Sequence, residues 1–467
     1  MENKFSRRSF LHSVSLLAAG ATLSTPLTGF GMKRKLRVSL VGTGVRGTSF
    51  WGRRLVEEYS DILEFVGISD INPGRLDYAL EYMKVNCPTF VNFDQMLTET
   101  KPDLLIVTTM DSTHHEFIIK GLEAGIDVLT EKPLTTDENK CQQILDAEKK
   151  SNKNLIVGFN YRWSPYITKI KELLQNKEIG EITSVDFHWY LNTHHGASYF
   201  RRWHGLTENG GSLWVHKATH HFDLLNWWLD SDPEEVFAYG ALEHYGSNGP
   251  FRGKNCRSCE HKNDCKYYWD ITKSQRDMKL YAENEHHDGY LRDGCVYRHE
   301  IDIYDKMSAN IKYANKAVVN YSLTTYSPYE GWKIAFNGQN GRIDAWLDIP
   351  FMSNETMDQE ALHAAEMNQD NRGEDMNREP LVLHKNWEKP QIIQVVSERG
   401  GHGGGDKRLH DKIFKTPDAA DPYKHAAGLR DGIMSVLIGV AARNSIKSNG
   451  PVKIADLTSI KPSSNRA

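Results

Sequence analysis

No stretch beyond residue 33 is apolar for long enough to cross a bilayer, which excludes a spanning helix from the body of the chain. No run of lysine and arginine forms a basic stripe. With a formal net charge of −4, nothing in the charge balance calls for a nucleic-acid partner. No internal repeat and no long low-complexity tract occur, which removes solenoids and disordered arrays. What is left is a chain of 467 residues, long for one core, so two domains are the default.

The most informative stretch is residues 36–47, L-R-V-S-L-V-G-T-G-V-R-G. Leu36, Val38 and Leu40 alternate with polar residues before Val41 runs into Gly42, so a strand ends in an abrupt turn. Gly42, Gly44 and Gly47 complete G-x-G-x-x-G. In a dinucleotide site the first glycine makes the turn and the second admits a pyrophosphate. The third lets the next helix pack close, with its free N–H groups on the phosphates. Thr43, Val45 and Arg46 belong to the same cradle. Residues 65–69 form a second short apolar run ending in Asp70, a carboxylate suited to a ribose hydroxyl pair, somewhat beyond the usual ~20-residue spacing. That carboxylate repels a 2′-phosphate and argues for NAD, while Arg46 and Arg75 keep NADP as the alternative.

Residues 1–33 stand apart. Ser6-Arg7-Arg8-Ser9-Phe10-Leu11, followed by a mildly apolar stretch, reads as a twin-arginine signal. The stretch is too polar for a stable membrane anchor and no cysteine follows it for a lipid. Export to the periplasm is expected, and a dinucleotide site behind such a signal suggests a cofactor that stays bound.

From residue 34 to 157, short apolar runs alternate with amphipathic stretches, the pattern of a parallel sheet with helices on both faces. The runs are residues 36–41, 65–69, 89–91, 104–108, 128–130 and 155–157. Two loops at the carboxyl ends of these strands should face the cofactor. One is T-M-D-S-T-H, with Thr109 and His114. The other is Glu131-Lys132-Pro133, where Lys132 is placed to hold a substrate hydroxyl. From 158 to 460 the strands read as predominantly antiparallel, in an open sheet with one face covered and the other free for substrate. A helix is expected over residues 425–448. Aromatic residues make up 10% of the chain, and aromatic faces suit sugar rings.

Residues 210–229, G-G-S-L-W-V-H-K-A-T-H-H-F-D-L-L-N-W-W-L, read as a loop entering a buried helix. His216 and His220 are four apart and share a face, with Asp223 next round and Lys217 beside them. An imidazole can take the proton of a carbinol as hydride leaves, and Asp223 would orient it. Two rival readings remain: structural histidines bonded to carbonyls, and a metal pair. Against metal, the glutamate of H-E-x-x-H is missing and Lys217 repels a cation. The loop at residues 192–204 supplies further donors for a polyol.

Of six cysteines, Cys87 and Cys141 read as buried and inert. Cys256, Cys259, Cys265 and Cys295 cluster in an insertion near residues 243–302 that is too polar to hold itself together. Structural zinc, two disulfides or an iron–sulfur cluster are the options, with zinc preferred.

Taken in order, T-M-D-S-T-H, E-K-P, Y-R-W-S-P at 161–165, the 210–223 motif and G-H-G-G-G-D at 401–406 resemble the glucose-fructose oxidoreductase, inositol dehydrogenase and rhizopine-catabolism family (Gfo/Idh/MocA), from Lys35 to about Ile454. The resemblance implies an N-terminal Rossmann domain carrying a C-terminal α/β domain with an open, mostly antiparallel sheet. It also implies a nicotinamide-dependent oxidoreductase of sugars, glycosides or cyclitols, a homo-oligomer with tightly held NAD(P). The family's lysine corresponds to Lys132 and its catalytic histidine to His220. His216 stands where the family has aspartate, which leaves the orienting role to Lys217 or His216. His114 matches the histidine of the family's T-P-N-x-x-H loop. Sugar-to-sugar hydride exchange, a glycosidase using transient C3 oxidation, simple dehydrogenation, and a non-catalytic dinucleotide and sugar sensor are the functional alternatives.

Overall fold

A computed structural model describes residues 34–347, 380–395 and 401–466; the expected signal at residues 1–33 lies outside them. Six strands form the first sheet: β1 (Leu36–Val41), β2 (Leu63–Ser69), β3 (Thr89–Phe90), β4 (Leu104–Val107), β5 (Asp127–Thr130) and β6 (Leu155–Val157). They pair in the order β3-β2-β1-β4-β5-β6, every pair parallel. A parallel strand covered on both faces must be apolar throughout, and β4, L-L-I-V, is wholly buried. Leu105 and Val107 enter the core on one side, Leu104 and Ile106 that on the other, as a period of two requires. Side chains open the following helices: Asn72 accepts from the Arg75 N–H ahead of Pro73–Met83, and Asp137 from the Lys140 N–H ahead of Glu138–Ser151.

The second sheet is built from β7 (Ile182–Asn192), β8 (Pro233–Ala241), β9 (Lys306–Tyr313), β10 (Val318–Ser327), β11 (Gly331–Gly338), β12 (Gly341–Leu347), β13 (Leu381–Lys385), β14 (Gln391–Ile393) and β15 (Val452–Lys453). Their order is β14-β13-β12-β11-β7-β10-β9-β8-β15. Every pairing is antiparallel except β7 with β10. The fold is thus an N-terminal Rossmann domain and a C-terminal α/β domain with an open, mostly antiparallel sheet. Strict alternation along β9 buries one side under the helices Ala218–Leu229 and Leu429–Ser448 and leaves Lys306, Ser308, Asn310 and Lys312 outside. The open face was expected to receive substrate. The candidate histidines lie instead on the covered side, where His221 stacks on Trp189 of β7 with ring centroids 3.9 Å apart. The outward side chains of these strands hold none of the expected site residues.

Residues 213–229 are two helices, Leu213–His216 and Ala218–Leu229, broken at Lys217. Apolar periodicity runs straight through the break, so the sequence reads as one helix. Asp223 does not orient a histidine. Its carboxylate takes both forks of the buried Arg162, from Nε at 2.7 Å and Nη2 at 2.5 Å, and Arg162 Nη2 also reaches Asp431 at 2.8 Å. Burial pushes Asp223 up to about 6 in spite of Arg162. Removing one partner of such a group strands the others in a dry interior. Arg162→Met is expected to lower the unfolding free energy by about 3 kcal/mol in a urea titration; an unchanged midpoint would show that this cluster does not hold the second domain together.

Candidate functional site

The glycine turn has the geometry that a phosphate cradle requires. Gly42 sits at φ +91°, and a Cβ there would lie 2.6 Å from the Thr108 carbonyl carbon. A Cβ on Gly47 would lie 2.1 Å from the Gly42 oxygen, so only glycine allows the chain to double back this tightly. A Cβ on Gly44 would meet only the Tyr281 hydroxyl, at 3.3 Å, so this face of the turn is held clear of the domain's own packing. The residues present fit a dinucleotide diphosphate.

Asp70 stands at the end of β2 as expected, but its first task here is to hold the turn. Its Oδ2 accepts from Thr43 N at 2.7 Å and Thr43 Oγ1 at 2.9 Å, and its Oδ1 accepts from Asn72 N at 2.9 Å. Arg75 lies between Asp70, 3.3 Å away, and Asp288 of the insertion. Arg46 pairs with Glu131 at 2.5 Å, and Glu131 Oε1 also accepts from Trp51 Nε1 at 2.6 Å. Neither arginine is thereby left to await a 2′-phosphate. His114 is a cross-brace: its ring nitrogens lie 2.8 Å from Pro133 O and 3.2 Å from Thr109 O, tying the two cofactor-facing loops together. Thr109 in turn accepts from the Thr113 hydroxyl at 2.9 Å.

Lys132 crosses from the first domain to the second, its Nζ donating to the His216 carbonyl at 3.1 Å. Burial pulls this ammonium down to about 8, while Asp111 works in the opposite direction. His216 Nδ1 lies 2.5 Å from Asp111 Oδ2. Burial raises Asp111 and lowers His216, and Lys132 lowers it further, so the pair shares one proton without separating charge. The departure from aspartate at position 216 is therefore met by a carboxylate from the other domain. His220 is held neutral by burial and by Lys132 and Lys217. Its ring packs edge-on to Tyr161 at 4.6 Å, and its buried Nδ1 has no hydrogen-bond partner among the described residues. The Lys217 ammonium lies 5.1 Å from the Trp189 ring centre.

Several residues join the site that sequence reasoning did not single out. His402 packs against Tyr161 with centroids 4.8 Å apart, and its Nδ1 is 2.9 Å from Asp406 Oδ1, which also accepts from Asn160 Nδ2 at 2.6 Å. The 401–406 motif marked this segment as significant without revealing its destination. Tyr199, Trp203 and His204 belong to the 192–204 stretch expected to supply donors for a polyol; it is largely the helix Thr193–Arg201, not a loop, and the three rings surround that of His216.

The zinc expectation for Cys256, Cys259, Cys265 and Cys295 is not supported. All are free thiols, and no group of three or more histidine, cysteine or acidic side chains among the described residues could hold a metal ion. No disulfide joins any of these four in the structure. Cys295 Sγ instead accepts from the backbone N–H groups of Gly253 at 3.5 Å and Tyr297 at 3.4 Å. The polar insertion is secured by ion pairs: Arg257 with Asp293 at 2.9 Å and Glu285 at 2.5 Å, and Arg75 with Asp288.

Comparison with known proteins agrees with this architecture. Residues 36–159 match the NAD-binding Rossmann fold of the Gfo/Idh/MocA oxidoreductase family, and residues 171–454 match its C-terminal alpha/beta domain. The chain belongs to the Gfo/Idh/MocA family. YteT of Bacillus subtilis (strain 168), an oxidoreductase by name only, is 37% identical over 433 residues, which are 89% of this chain and 97% of that one. The inositol 2-dehydrogenase/D-chiro-inositol 3-dehydrogenase of Lactiplantibacillus plantarum is 24% identical over 197 residues, 42% of this chain and about half (53%) of its own length. A solved levoglucosan dehydrogenase, in complex with NADH and levoglucosan, is 17% identical with a TM-score of 0.61, covering 90% of this chain and all of that one, and shows the shared fold.

With an NAD-binding Rossmann fold matched over residues 36–159, the turn at Gly42, Gly44 and Gly47 is where a dinucleotide diphosphate would be held. Gly47→Ala is expected to reduce dinucleotide bound to the purified protein at least tenfold (about 1.4 kcal/mol) without unfolding it, as read by nucleotide content and circular dichroism. Full retention would show that the turn does not carry the diphosphate.

Proposed function

We propose that this oxidoreductase transfers hydride to or from a hydroxyl-bearing carbon of a sugar, glycoside or cyclitol. Lys132 and His220 would act on the hydroxyl, and the cofactor would remain bound between half-reactions. The observation that carries this reading is the meeting of Lys132, the Asp111–His216 pair and His220 at the seam of the two domains, beside the loops that face the nicotinamide. A bound nicotinamide supplies the hydride acceptor or donor. Lys132, as an ammonium, donates to the substrate oxygen and stabilises the charge that grows on it as its proton departs. His220, a neutral imidazole whose Nδ1 is unengaged among the described residues, takes that proton. The Asp111–His216 pair fixes the carbonyl to which Lys132 is anchored and so sets where the ammonium can point.

The substrate class is supported by the aromatic rings around these groups and by the names of the inositol and levoglucosan dehydrogenases. NAD is preferred over NADP because Arg75 is enclosed by Asp70 and Asp288. Export behind the twin-arginine segment remains part of the proposal. Outside the cytoplasm no nicotinamide pool reoxidises a released cofactor, which favours a redox-neutral net reaction. The glycosidase and sensor readings find no support in the comparisons, and a sensor needs no proton acceptor opposite a lysine.

A scan of sugars and cyclitols for change in nicotinamide absorbance tests the class. Lys132→Ala is expected to lose turnover by 10²–10⁴-fold while keeping its cofactor, and unchanged turnover would remove Lys132 from the mechanism. Because the ammonium is the working form, oxidation should fall as pH rises through about 8, and Lys132→Arg should move that fall to higher pH. A rate rising through the same range would make the lysine amine the base.

A further inference from the structure

The polar insertion does not simply decorate the second domain; it reaches back across the dinucleotide cleft. Three attachments line up along the first domain's carboxyl edge. Val45 N–H, in the glycine turn, donates to the Tyr281 hydroxyl at 2.9 Å. The Asn72 side chain, at the start of the helix after β2, donates to Asn284 O at 2.9 Å. Arg75, in the first turn of that helix, pairs with Asp288. Two of these attachments flank the carboxylate of a ribose site, and the third occupies an amide that a diphosphate uses.

Behind Tyr281 stand two guanidinium groups short of negative partners. Arg292 lies 5.4 Å from the Tyr281 ring centre and has one loose carboxylate contact, with Asp277 at 3.7 Å. Arg202 has no carboxylate within ion-pair distance among the described residues; its Nε donates to Ser198 O at 2.9 Å. Burial and the neighbouring Arg292 push Arg202 down to about 10, the mark of a cation placed where it lacks an anion.

We propose that residues 275–292 form a strap that closes over the bound dinucleotide, with Tyr281, Arg292 and Arg202 serving its diphosphate. The hydroxyl that accepts from Val45 can turn and donate to a phosphate oxygen that takes its place there. The two arginines then balance the two charges of the diphosphate, which the backbone amides bind but do not neutralise. A cofactor held in this way leaves only when the strap detaches from Val45, Asn72 and Arg75 together. The proposal rests on the dinucleotide site and not on the sugar chemistry, so it is tested without substrate turnover.

The full-length protein is stripped, reloaded with NADH and diluted into excess NAD, and release is followed by loss of nicotinamide fluorescence. Tyr281→Phe is expected to release NADH about tenfold faster, and Arg292→Ala and Arg202→Ala at least as much, with weaker dependence on salt. In the unmodified protein, amide hydrogen exchange over residues 275–292 should slow when NADH alone is added, a measurement that needs no variant to fold. Release rates within twofold of the unmodified protein, or exchange in the strap indifferent to NADH, would overturn the proposal. So would an Arg202→Ala variant that releases NADH normally but raises KM for carboxylate-bearing sugars alone, since the anion would then be the substrate's.

Discussion

One hydrogen bond joins the two chemistries of this protein: the Lys132 ammonium donating to the carbonyl of His216. Lys132 follows β5 at the edge where a parallel sheet gathers its ligands, and His216 ends a short helix of the second domain. A lysine buried at such a seam must find an acceptor, and the one it finds is released by the break at Lys217. Had the helix run on unbroken, the His216 carbonyl would have been spent on its own ladder. The break thus frees an oxygen for Lys132 and places His220 in the first turn of the helix that follows.

Charge is managed around that contact with few spare groups. Burial lowers Lys132 and holds His220 and His216 neutral, while Asp111 is raised. The seam therefore offers an adjustable cation in Lys132 and neutral imidazoles near neutral pH, a set matched to moving a single proton. The structural charges are separate. Arg162, Asp223 and Asp431 satisfy one another in the interior of the second domain, and Asp70 braces Thr43 in the first.

Much of this was legible in residue order because it is local. A glycine turn after an alternating strand, apolar runs separated by capped helices, and E-K-P after a buried strand each declare themselves within a dozen residues. The parts that escaped depend on partners far apart in the chain. Asp111 meets His216 across 105 positions, Tyr281 meets Val45 across 236, and Asn160 meets Asp406 across 246. Asp223 looked like a histidine's partner because it sits one turn away, but Arg162 offered two forked bonds and won it. The cysteine spacing suggested a metal staple that nothing among the described residues supports, and the fastenings seen on the insertion, by Arg75 and Arg257, again join residues far apart in the chain.

The central claim, that a dinucleotide on the residue 42–47 turn faces Lys132 and His220 across the domain seam, is tested most directly by a crystal structure with NADH and an oxidisable sugar bound. The account predicts the diphosphate on the amides near Gly44 and the reacting carbinol between the Lys132 ammonium and the His220 imidazole. A complex with His220 remote from the nicotinamide's reactive carbon, or with no phosphate on the glycine turn, would contradict it.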